Sequence, residues 1–234
     1  RRSSIASTSA SAVAALVMIG VARVASWKQM EQSAEWGVLM LFGGGLTLSA
    51  VLQPDWGLVT AVEAVHLEAL GTVSAVAAEK SELLRALPET GLAVLDRDGP
   101  WYPVLAEAAP CRVVRVAFES EAEYRAAYDP ANPRAMTVTG PRGDGCRCEL
   151  PLPGRHLLRD ALLALAVAGE AGVPLGDAAR TLASFTPTGM RWQERQLAGV
   201  VAINDAYNAG PTSMRAALDA LADVACRGRR WAVL

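Results

Sequence analysis

Few side chains in this sequence can do chemistry beyond carrying a simple charge, so those that can are quickly found. The chain has two histidines, His66 and His156, and two lysines, Lys28 and Lys80. An imidazole can ligate a metal or carry a proton near neutral pH. Taken alone, a histidine after a strand is more often a hydrogen-bonded polar group, and a lysine on a helix a solvated charge. Of the cysteines Cys111, Cys146, Cys148 and Cys226, the Cys146-Arg147-Cys148 pair lacks metal-ligand spacing, and no second pair answers it. Reduced thiols are the plainer reading. No Gly-x-x-x-x-Gly-Lys-Thr loop occurs, because neither lysine follows the required glycines, so these residues supply no cradle for a nucleotide's β- and γ-phosphates. A formal net charge of −2 leaves no electrostatic footprint for nucleic acid, which is excluded as a partner.

The elements that would position these residues begin after Gln53-Pro54-Asp55, where the texture becomes alternating strand and amphipathic helix. Leu58 to Val62 reads as a short buried strand running up to His66, and Val73 to Leu87 as the helix carrying Lys80. Gly91 to Leu95 and Arg112 to Phe118 read as strands, and Glu119 to Arg134 as loop with irregular helix. Ala135 to Thr139 and Cys146 to Leu152 form a strand pair around a Gly-Pro-Arg-Gly-Asp-Gly turn. Leu157 to Ala171 is a helix ended by Gly172 and Pro174. Val200 to Asn204 reads as a strand, Pro211 to Val224 as a helix with proline at its start, and Arg230 to Leu234 as a last apolar strand. Strand alternating with helix makes this an α/β fold.

The front of the chain has another composition. Hydrophobic residues make up 52% of the sequence and mean hydropathy is +0.22, with the excess in two uncharged runs, Ile5 to Ala22 and Trp36 to Leu52. Each approaches the roughly 17–25 residues that cross a bilayer as a helix, with Trp27 and Trp36 where interfacial aromatics would sit. Two buried helices of a soluble core are the alternative. Ser26-Trp27-Lys28-Gln29-Met30-Glu31 followed by Trp36-Gly37-Val38-Leu39-Met40-Leu41-Phe42-Gly43-Gly44-Gly45 resembles part of the divalent-anion:sodium symporter family. Two helices cannot build an alternating-access transporter, so this resemblance implies membrane contact through residues 1–53 rather than transport.

A second resemblance covers about residues 58–234. Ala64-Val65-His66-Leu67-Glu68-Ala69-Leu70-Gly71, the helix with Ala78-Glu79-Lys80, and Leu92-Ala93-Val94-Leu95-Asp96-Arg97-Asp98 occur in that order. They are followed by Gly154-Arg155-His156-Leu157-Leu158-Arg159-Asp160-Ala161, Gly189-Met190-Arg191 and Ile203-Asn204-Asp205-Ala206-Tyr207-Asn208-Ala209-Gly210-Pro211. Together they resemble the Mur ligase family, and Asp-Ala-Tyr-Asn-Ala resembles the branch that adds D-Ala-D-Ala to UDP-N-acetylmuramoyl-tripeptide with ATP and Mg2+. The implied architecture is a partial Mur ligase central domain over 54–198 and the start of a C-terminal α/β domain over 199–234, preceded by two expected transmembrane helices within 1–53.

By position, the resemblance makes His66 a magnesium ligand. Lys80 matches the lysine that members carbamylate; its carbamate would serve catalysis by helping to hold the metal, because magnesium prefers hard oxygen ligands. Arg191 and Asp205 match residues contacting the nucleotide's phosphate and ribose, and His156 and Asp160 lie at the adenine side. Leu157 and Asp160 replace asparagines usual in the family, Asp96-Arg97-Asp98 replaces Asn-Ala-Asp, and Gly210 stands where asparagine is common. With no phosphate loop, the expectation is a ligase segment inactive by itself, cytoplasmic in its ligase-like part and associated with the inner membrane through its front. The alternatives are a membrane-anchored non-catalytic module, or a transporter fragment joined to a ligase fragment.

Overall fold

The computed structural model describes residues 54–64, 67–186, 190–207 and 209–233. The two apolar runs, the expected membrane segment 1–53, and His66 therefore lie outside the described residues. Among the described residues no helix is long and apolar enough to cross a membrane.

Six strands build the main sheet in the order of the chain: β1 (Trp56–Val59), β2 (Leu92–Asp96), β3 (Arg112–Ala117), β4 (Tyr124–Tyr128), β5 (Ala135–Thr139) and β6 (Gly145–Glu149). β1 to β4 run parallel, β5 turns back antiparallel to β4, and β6 pairs antiparallel with β5. Helices α1 (Leu67–Leu70), α2 (Val73–Arg85) and α3 (Tyr102–Ala108) come before β3; α4 (Arg155–Glu170) and α5 (Leu175–Ala183) follow β6.

β2 is apolar at successive positions because both of its faces are covered, as parallel strands require. Its Leu92 and Val94 join one core with Val114, Val116, Met136 and Val138 and the α4 residues Leu158, Leu162 and Leu165. Its Ala93 and Leu95 point the other way, toward Leu84 of α2, Leu87 and Leu105 of α3. The strand period of two thus sorts one short run into two cores. The side chains Leu84, Leu95, Leu162 and Leu165 are fully buried, and each stabilises the fold by roughly 1.5–3 kcal/mol. Thr72 starts α2 by accepting a hydrogen bond from the Ala75 amide (3.2 Å).

The stretch expected to be loop and irregular helix contains β4. Its alanines favour helix, but Tyr124 and Ala126 are buried at a period of two, and pairing with β3 and β5 overrides local preference. β4 overlaps only the end of β3 (Val116 opposite Tyr124), so a six-residue link suffices where a parallel neighbour usually needs a long crossover. Asp98 secures that link by accepting from the backbone amides of Phe118 (2.7 Å), Glu119 (3.0 Å) and Ser120 (2.9 Å).

A separate antiparallel hairpin, β7 (Gln193–Leu197) and β8 (Val200–Asn204), precedes helix α6 (Pro211–Asp223). Its turn is Ala198-Gly199 with φ of 47° and 84°, the doubly positive geometry that suits two-residue hairpins. The expected division at 198/199 falls inside this turn. The last strand expected over 230–234 does not form among the described residues; a strand needs a neighbour to bond, and β8 pairs only with β7.

Candidate functional site

In open parallel sheets, ligands bind beyond the carboxyl ends of the strands, and several titratable residues converge there. Glu63 follows β1. The first turns of α4 are drawn to the end of β2 by Arg159, whose Nη1 donates to Asp96 Oδ2 (2.7 Å) and lies 3.8 Å from Asp98 Oδ2. The same guanidinium lies 5.3 Å from the Phe118 ring centroid. α4 begins after Gly154, whose φ of 136° suits glycine, and a Cβ there would come within 2.7 Å of the His156 imidazole. The glycine therefore lets the ring fold back over the loop.

Partial desolvation lowers the His156 imidazole below its ordinary value although the residue is exposed, and the carboxylates of Asp205 and Glu63 pull against that shift. Desolvation, with Glu63 second, pushes the Asp160 carboxyl up to about 6, although the residue is exposed. His156 thus feels the charges of Asp205 and Glu63, and Asp160 that of Glu63. A neutral imidazole with a carboxyl that protonates near 6 suits hydrogen bonding to an uncharged heterocycle or hydroxyls. Carboxylates of one sign would repel a polyphosphate, so phosphate must be met by cations elsewhere.

Raised above 3.8, the Asp160 carboxyl binds its proton more tightly folded than unfolded, so stability is fully present at low pH and declines as pH rises from about 4 through about 6. Asp160→Asn is therefore expected to raise the melting temperature at pH 7.5 and to lose that advantage below pH 4. Thermal melts at both pH values check this; an equal shift at each would rule out the assigned titration.

Asp205 Oδ1 accepts from the Trp192 amide (3.0 Å), and the Tyr207 amide donates to the Met190 carbonyl (3.1 Å). Between them the Arg191 guanidinium stacks 4.1 Å from the Tyr207 ring centroid. Arg191 and Asp205, fourteen residues apart in the chain, thus occupy one bend. The Lys80 ammonium is 4.0 Å from Glu79 Oε2, on the α2 stripe shared by Val76 and Leu84. Glu63 and Tyr207 were not singled out by sequence. Glu63 lies three residues before His66, and that spacing was the available signal.

Among the described residues no three His, Cys, Asp or Glu side chains group as a metal site, so these residues alone do not show a fit to Mg2+.

A mostly parallel α/β sheet with polar side chains beyond its strand ends defines a class of domain whose ligands bind at that edge. Within that class the chain belongs to the Mur ligase family, since residues 43–168 match the Mur ligase middle domain. The match begins inside the second apolar run. The chain is 33% identical over 219 residues to the UDP-N-acetylmuramoyl-tripeptide--D-alanyl-D-alanine ligase of Mycobacterium leprae, covering 82% of this chain and 42% of that relative. Among solved structures it is similar to MurF from Acinetobacter baumannii, with a TM-score of 0.71, 26% identity, and coverage of 77% of this chain and 40% of that one. It also shares the fold of a MurF ligase from Thermotoga maritima solved in complex with ADP, with a TM-score of 0.63, 21% identity, and coverage of 76% and 41%. The chain therefore spans about 40% of the length of these proteins. These ligase similarities lend no support to the transporter resemblance of residues 1–52.

Proposed function

We propose that residues 54–233 are the nucleotide-facing part of an ATP-dependent ligase that joins D-Ala-D-Ala to UDP-N-acetylmuramoyl-tripeptide in peptidoglycan synthesis, acting in the cytoplasm. The observation that carries this reading is that the Asp205 carboxylate, held in its bend, acts on the His156 imidazole, which shares the first turns of α4 with Asp160. Those are the residues that the resemblance assigns to the adenine and ribose. In this reading His156 and Asp160 hydrogen-bond the base, Asp205 takes the ribose, and Arg191, freed from Tyr207, meets phosphate. ATP activates a carboxylate as an acyl phosphate that the amine of D-Ala-D-Ala attacks. Lys80 and His66 are proposed at the metal side on the resemblance alone, with no step derived through Mg2+. The middle domain ends near Met190, where the backbone bends, and the C-terminal unit starts with the β7–β8 hairpin.

The 234 residues carry no phosphate loop, so the chain by itself is expected to form no product. The test is a chimera in which residues 54–233 replace the matching segment of a D-Ala-D-Ala-adding ligase that supplies the loop. ADP and ligated product should form only with the tripeptide substrate and D-Ala-D-Ala both present. A folded chimera that makes neither would overturn the assignment.

A further inference from the structure

The bend that carries Arg191 is held in an unfavourable backbone conformation. Met190 (φ 59°) and Trp192 (φ 46°) both occupy the left-handed region, which is unusual for side chains of this size. Such conformations persist only where surrounding contacts over-determine them. Here those contacts meet on Glu194. Its Oε1 accepts from the Trp192 indole Nε1 (2.9 Å) and from Arg134 Nη2 (2.9 Å). Arg134 also donates through Nη1 to the Pro151 carbonyl, and its own carbonyl accepts from the Leu150 amide (2.8 Å), extending the β5–β6 ladder. One end of this chain of bonds is thus the main sheet, and the other is the first strand of the hairpin.

Apolar packing also joins the two, with Leu157 of α4 and Ile203, Leu221 and Val224 of the hairpin–helix unit set around its centre. A small cluster of Leu152, Trp192 and Ala220 is buried between them. Beside it Pro151, Leu152, Trp192 and Glu194 border an open cleft of about 340 Å3. The join thus combines a small apolar cluster with an open cleft on one side, and there the directional bonds act alongside side-chain packing in setting its angle.

We infer that Arg134, Glu194 and Trp192 form a latch that fixes the orientation of the β7–β8–α6 unit on the main sheet and thereby holds Asp205 in place. Glu194 is the shared acceptor, Arg134 the anchor on the sheet, and Trp192 the link to Asp205, which its amide holds at 3.0 Å. These are positioning residues: none of them belongs to the His156, Asp160 and Asp205 group itself. The inference stands on geometry and holds whether or not the ligase assignment does.

Amide hydrogen exchange on the full chain tests it. In Glu194→Ala and in Arg134→Ala, amides of 193–204 and 211–223 should exchange at least tenfold faster than in the parent, while those of β2 and α4 stay unchanged. The double variant should be no faster than Glu194→Ala alone, because both bonds end on one carboxylate. Glu194→Gln keeps an acceptor for the indole but loses the ion pair, and Trp192→Phe keeps a ring but loses the donor; each should show a smaller acceleration in the same segments. Three results would overturn the latch: parental exchange over 193–223 in both alanine variants, acceleration spread evenly through β2, β3 and α4, or a double variant in which the two effects multiply.

Discussion

Asp98→Ala is expected to lower the free energy of unfolding by about 3 kcal/mol, because three backbone donors lose a charged acceptor at once. The Asp98 side chain is only 5% exposed and holds the amides of Phe118, Glu119 and Ser120, the link that lets β4 lie parallel beside β3 without a crossover. Burial on its own would raise this carboxyl. Hydrogen bonds from the Ser120 side chain and from the three amides outweigh it and hold the group below 3.8. With the folded value depressed, the contribution is complete above the ordinary carboxylate range and is lost as pH falls through the lower folded value. Urea melts at pH 7 and below pH 3 should show the parent and Asp98→Ala far apart in the first condition and converging in the second. Asp98→Asn, which keeps one carbonyl oxygen, should lie between them. A variant within 0.5 kcal/mol of the parent at pH 7, the range of ordinary surface substitutions, would show that the link holds without the carboxylate.

Lys80→Ala in the chimera described above is expected to cut ligation by about 10²–10³-fold, the loss typical when a group that stabilises developing charge is removed. Lys80 lies on the same stripe of α2 as Val76 and Leu84, where an apolar residue would cost nothing, yet its side chain keeps 31% of its surface open. Placing the chain's only lysine beyond residue 28 on that inward stripe is what packing alone would not choose. Lys80→Arg should be equally inactive, since a guanidinium stays cationic and cannot become the carbamate that the resemblance implies. Thermal melting of both variants should stay near the parent value, separating loss of chemistry from loss of fold. If Lys80 is only a solvated charge, both variants will retain activity within about twofold, and the proposed role ends there.

The helix with Lys80, the strand ending at Asp96, the β5 strand and the long α4 helix were legible because each announces itself locally, by hydrophobic period, by turn residues or by a glycine stop such as Gly172 (φ 85°). β4 was not. Tyr-Arg-Ala-Ala-Tyr carries too little local preference to declare itself, and only bonding to β3 and β5 makes it a strand. β7 was hidden for a related reason: Gln193 to Leu197 is polar and exposed, and it is a strand only because the Ala198-Gly199 turn folds it onto β8.

The site divides in the same way. Kinship with the Mur ligases, and with it the short list His156, Asp160, Arg191 and Asp205, was determined by the ordered residue types alone, since side-chain identity and spacing are properties of the chain. What those residues are to one another was decided only in three dimensions. The charges of Glu63 and Asp205, distant in sequence, both act on His156, Asp98 turned out to hold a backbone link, and Glu194 became the joint acceptor for Arg134 and Trp192. The physical reason is that hydrogen bonds and charge interactions depend on distances of a few ångströms, and sequence separation carries no information about those until strand pairing and helix packing have brought the ends together.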